Sequence, residues 1–64
     1  MGKDQQLLFT PEQAAERLAS GRSTVYALLA SGELKSVKIG RSRRIPQTAL
    51  EDFVARLTAA SDAA

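Results

Sequence analysis

The apolar positions of this chain fall at two different periods, and the change of period divides it. Ala14, Ala15 and Leu18 recur at helical spacing, as do Val25, Leu28 and Leu29. Between residues 33 and 46 the spacing shortens to two. There Val37 and Ile39 alternate with Ser36 and Lys38, Gly40-Arg41-Ser42 reads as a turn, and Arg44-Ile45 returns. Leu50, Phe53, Val54 and Leu57 then resume the i, i+3, i+4, i+7 pattern. Apolar residues three and four apart line one face of a helix, and those two apart one face of a strand. The pattern predicts two short helices, a β-hairpin and a third helix, in the order ααββα.

Start and stop signals sharpen the boundaries. Thr10 can cap a helix, Pro11 suits its first position, and Gln13 completes a capping box, so helix 1 is expected over about 11–19. Phe9 can staple against Ala14. Gly21 is a tolerable second cap, and helix 2 runs to about Ser31, where Gly32 supplies a left-handed end. Pro46 opens helix 3. A gap of three or four residues containing a glycine, between two helices, is the helix-turn-helix arrangement. Residues 1–7 lack periodicity and are expected to be a flexible N-terminus, 8–57 the folded domain, and 58–64 a helix extension or a frayed tail.

The expected core is Leu8, Leu18, Val25, Leu28, Leu29, Leu34, Val37, Ile39, Ile45, Leu50, Phe53, Val54 and Leu57. Strand alternation sets Lys38 and Arg44 away from the face that buries Val37, Ile39 and Ile45. Arg43 shares the parity of Ile45 but lies near the hairpin tip, where it stays exposed.

Sixty-four residues make one domain with a thin core, since a chain of this size buries only ~60% of its unfolded surface. It holds no cysteine and no histidine. Ser-His and Cys-His nucleophile pairs are therefore ruled out, as are the usual zinc ligands. No glycine-rich phosphate loop is present, and Glu12, Glu16, Glu51 and Asp52 are expected to be solvated on helix faces or starts. The reading is no enzyme, no metal and no cofactor. No apolar run approaches the ~20 residues of a membrane span, and no export signal opens the chain. A cytoplasmic protein without membrane contact is expected.

The net charge is only +2, but it is polarised. Residues 22–44 hold Arg22, Lys35, Lys38, Arg41, Arg43 and Arg44 against Glu33 alone, a net +5. The rest hold Lys3, Arg17 and Arg56 against Asp4, Glu12, Glu16, Glu51, Asp52 and Asp62, a net −3. A basic middle between acidic flanks is the layout of a polyanion-binding face.

Two clusters can supply that face. In a helix-turn-helix the second helix enters the major groove with its N-terminal residues toward base edges. Here those are Arg22, Ser23, Thr24 and Tyr26. Arg22 can read guanine or pair with phosphate, Thr24 offers a hydroxyl and a methyl, and Tyr26 a ring and a hydroxyl. Two ordinary packed helices would leave the same pattern, so the motif alone divides evenly between binding and packing. The hairpin is the second cluster, with Lys38, Arg41, Arg43 and Arg44 around a protruding turn. Charge does protect edge strands, but that does not require four cations without a nearby anion.

These residues together resemble the excisionase-type, MerR-like winged-helix family. The resemblance runs over Leu8–Leu57, through LLFTPEQAAERL, GRSTVYALLASGEL and KSVKIGRSRRIPQTALEDFV. It implies a winged helix-turn-helix, mostly α with a small β-hairpin. Arg22, Ser23, Thr24 and Tyr26 would then belong to the recognition helix, and Lys38, Arg41, Arg43 and Arg44 to the wing over the minor groove or backbone. The implied function is sequence-specific binding of double-stranded DNA as a recombination directionality factor, with an integrase or recombinase as partner. Two alternatives stay open: a small transcriptional regulator of the same fold, and an antitoxin-like or adaptor module, which would have no need of the basic wing. The turn departs from the family at Ser20, often apolar, and at Gly21, often Ser. The long dimerising helix of MerR regulators is absent, so no small-molecule effector is expected, and self-association is expected head to tail on DNA.

Overall fold

The computed structural model describes residues 6–63: β1 (Leu8–Phe9), α1 (Pro11–Arg17), α2 (Arg22–Ser31), β2 (Val37–Ile39), β3 (Ser42–Pro46) and α3 (Gln47–Ala63). Of the segment expected to be flexible, residues 1–5 lie outside the described residues, as does residue 64 of the tail. Three helices and a small antiparallel sheet of order β1-β3-β2 make a winged helix-turn-helix.

The capping box forms as the residues predict. Thr10 Oγ1 accepts the Gln13 N–H at 3.1 Å, and Gln13 Oε1 accepts the Thr10 N–H at 3.0 Å. Such a cap contributes ~1 kcal/mol. Helix α1 ends two residues earlier than expected, at Arg17, because the chain turns left-handed at Ala19 (φ +54°). Ser20 N–H then reaches the Ala15 carbonyl (2.8 Å) and Ala19 N–H that of Glu16 (3.1 Å), the two bonds of a Schellman end. The left-handed residue is thus an alanine. Gly21, at φ −77°, is the extended N-cap of α2. Gly32 (φ +84°) ends α2 as expected.

Strand β1 is an addition to the expected order. It pairs Leu8 with Pro46 and Phe9 with Ile45, and Gln47 N–H extends the contact to the Leu7 carbonyl at 2.9 Å. Two residues are too few to show a period of two. Pro46 therefore closes β3 rather than opening α3. It is tolerated because β2 pairs only with residues 42–44, so Pro46 has a neighbouring strand on one side only.

The hairpin register corrects the expected core. Gly40 and Arg41 form a two-residue turn, and Ile39 pairs with Ser42, Lys38 with Arg43, Val37 with Arg44. Residues directly opposite share a face. Val37, Ile39 and Arg44 therefore lie on one face, and Lys38 and Arg43 on the face of buried Ile45. Val37 (42%) and Ile39 (56%) are exposed, not core. The expectation that Lys38 and Arg44 point together away from the core is overturned by the same register.

The core comprises Phe9, Ala14, Ala15, Val25, Leu34, Ile45, Ala49, Leu50 and Phe53, with Leu18, Leu28 and Leu29 packed half-buried against it. Leu8 is likewise half-buried. Val54 and Leu57, expected inside, are exposed. On α3 the buried side is Ala49, Leu50 and Phe53; Val54 falls on its flank, while Leu57 shares that side and borders an open groove with Leu28 and Phe53. Among the described residues no helix is long and apolar enough to cross a membrane.

Candidate nucleic-acid interface

Helix α2 begins at Arg22, with Ser23 and Thr24 in its first turn and Tyr26 one turn along; all four are exposed. Gly21 has no side chain to cap the first amides, and the first turn contains no acid. The N-terminal end of α2 thus keeps its amide donors and the positive end of its dipole without a covalently supplied anion. This is the end of the helix that a helix-turn-helix directs at DNA.

Two of the four side chains share a partner that the sequence did not reveal. Tyr26 Oη donates to Glu12 Oε2 at 3.2 Å, and Arg22 Nη1 lies 4.0 Å from the same oxygen. Glu12 sits in the first turn of α1, where a carboxylate is favoured by the helix dipole. It was expected to be merely solvated. Residues 10 and 14 positions away meet it only because α1 and α2 cross, and no local spacing signals that.

In the wing, Lys38 and Arg43 stand directly opposite each other. Like charges so placed are destabilising, by ~0.2–1 kcal/mol. Arg43 Nη1 donates to Ser36 Oγ at 2.8 Å, which fixes its direction along the body-side face. Arg44 is half-buried on the other face and donates to the Arg43 carbonyl at 2.9 Å. Arg41 occupies the turn and is exposed. The wing cations therefore divide between two faces.

One open groove joins the two clusters. It is lined by Tyr26, Leu29, Ala30 and Arg43, so the recognition-helix tyrosine and a wing arginine border the same depression. Arg22 lies one turn before Tyr26 on the same stripe of α2, with Ser23 beside it, whereas Thr24 borders a separate groove with Leu28, Phe53 and Leu57 on the α3 side. Lys38 shares the Arg43 face, whereas Arg44 is turned away. Among the described residues no group of three or more acidic, histidine or cysteine side chains is placed to hold a metal ion.

The chain matches the helix-turn-helix domain family over residues 8–58. It is 57% identical over 58 residues to a probable excisionase of Saccharopolyspora erythraea, covering 91% of this chain and 59% of that protein. It is also 47% identical over 49 residues to an excisionase of Streptomyces ambofaciens, covering 77% of each. The chain belongs to the excisionase-type helix-turn-helix family. It spans about three fifths of the length of the Saccharopolyspora relative. No solved structure matches it. The family match begins at Leu8, the first residue of β1, so the strand missed by periodicity falls within the family domain.

Proposed function

We propose that the protein binds double-stranded DNA in a sequence-specific way and acts as an excisionase-type recombination directionality factor. In this reading α2 lies in the major groove, where Arg22, Ser23, Thr24 and Tyr26 face base edges and phosphates. Lys38, Arg41, Arg43 and Arg44 of the wing contact the backbone or the adjacent minor groove. The observation that carries it is the groove shared by Tyr26 and Arg43, which sets the exposed Tyr26 side of α2 beside the basic wing. The 57% identity to a protein named probable excisionase supports the biological role. A recombinase would be the protein partner, and neighbouring copies would meet on the DNA. The charge division agrees with this, since the net +5 of residues 22–44 lies on the segments proposed to meet DNA.

The decisive experiment is selection of a duplex from a randomised pool, followed by binding titrations on it and on a scrambled duplex. The expected result is a clear preference for the selected duplex. Arg22→Ala and Thr24→Ala should each lower that preference by ~1–3 kcal/mol, the usual value of a good base contact. Far-ultraviolet circular dichroism should be unchanged, since both side chains are exposed. Equal losses on both duplexes would place these residues on the backbone instead of the bases.

A further inference from the structure

The proposed interface contains one anion in an otherwise cationic setting. Glu12 Oε2 accepts the Tyr26 hydroxyl at 3.2 Å and lies 4.0 Å from Arg22 Nη1. Arg22 and Tyr26 are four residues apart, so their side chains leave the same stripe of α2. One carboxylate on α1 reaches both. Its side chain is half exposed, and that of Arg22 is 71% exposed. An ion pair so open to water adds little to folding.

What the carboxylate changes is the use of those two donors elsewhere. A phosphate that takes Arg22 or the Tyr26 hydroxyl must displace Glu12 and approach its charge, and two anions close together repel. A base edge is different. The O6 and N7 acceptors of guanine are neutral, so an arginine can reach them without bringing a second negative charge beside Glu12. The same carboxylate therefore opposes backbone contact and tolerates base contact.

We propose that Glu12 is a specificity-determining residue of the interface, holding Arg22 and Tyr26 back from phosphate so that binding to arbitrary duplex is penalised. This inference rests on the DNA-binding role proposed above. Glu12 itself touches no base in this scheme. It acts through Arg22 and Tyr26 as a positioning residue.

The test compares the wild-type protein with Glu12→Gln and Glu12→Asp on the duplex selected by the wild type and on a scrambled one. Glu12→Gln keeps an acceptor for the Tyr26 hydroxyl and removes the charge. Its affinity for the scrambled duplex should rise about 3–10-fold, with log K falling more steeply with log salt by about one as Arg22 joins the phosphate contacts. Affinity for the selected duplex should change less than about 2-fold, so the ratio of the two falls. Glu12→Asp keeps the charge and should keep the ratio near that of the wild type. An equal rise on both duplexes, no change on either, or the same loss of ratio in Glu12→Asp would overturn the proposal. A wild-type protein that retains no duplex from the pool would overturn the DNA-binding role along with it. A selective wild type with an unaffected Glu12→Gln would remove only the role of Glu12.

Discussion

Ala19 carries the one positive φ found at a non-glycine position among the described residues. For an L-residue that conformation costs ~1–2 kcal/mol. It is held by the two backbone bonds that close α1, from Ala19 and Ser20 to Glu16 and Ala15. Ala19 is exposed, so its methyl group contributes no core packing. Ala19→Gly should therefore stabilise the domain by about 0.5–1 kcal/mol once the greater freedom of glycine in the unfolded chain is subtracted. Thermal unfolding followed by circular dichroism should show a midpoint raised by about 2–8 °C. A lowered midpoint would mean that the turn is not under strain. Thr10 and Gln13 make a capping box that was legible in the sequence, because both bonds connect residues three apart. Ala19 was not legible, since alanine bears no mark of the left-handed conformation that its neighbours impose.

At the scale of the element, the wing depends on its register. The turn at Gly40 and Arg41, with a positive φ at Gly40 alone, has the glycine-first pattern of a type II′ hairpin. It pairs Ile39 with Ser42, which turns Val37 and Ile39 to solvent and leaves Ile45 as the wing's contribution to the core. Ile39→Thr should alter stability by no more than about 0.5 kcal/mol, whereas Ile45→Ala should cost about 2–5 kcal/mol. Urea unfolding of both variants decides it; comparable losses would require the register in which the two share a face. The same geometry makes Arg43, on the groove side, the wing cation best placed to act together with α2. Arg43→Ala should weaken binding to selected and scrambled duplexes alike and flatten the log K–log salt slope by about one. An unchanged slope would leave Arg43 a solvated residue bonded only to Ser36.

At the scale of the whole molecule, the longest dimension is 39 Å. That is close to the ~34 Å of one turn of B-form DNA, so in the proposed complex one copy would cover a single short site. A module of this kind buries only ~600–1,000 Å², little for selecting one site among a genome of competitors. The sequence shows no sustained heptad with which to build a coiled-coil dimer. The expected outcome is a monomer in sedimentation of the free protein and cooperative filling of two adjacent sites in gel shifts. A stable dimer without DNA, or independent filling of the two sites, would count against it.

The sequence by itself determined the helix-turn-helix, the hairpin and the third helix. Each is written in local terms: periods of 3.6 or 2, a capping box three residues long, and glycines at 32 and 40 where the backbone turns left-handed. It also determined that the cations cluster on α2 and the wing, but not how the wing cations divide between its faces, since Arg44 is half-buried on the face opposite Lys38 and Arg43. The tertiary structure alone decided three further matters. It paired Leu8 and Phe9 with Ile45 and Pro46, a strand too short for any period and created by its distant partner. It chose which face of the hairpin is buried, because the position of a two-residue turn sets the register and a one-residue change reverses every side chain. And it placed Glu12 against Arg22 and Tyr26, since a contact across 10 or 14 residues exists only where two helices cross.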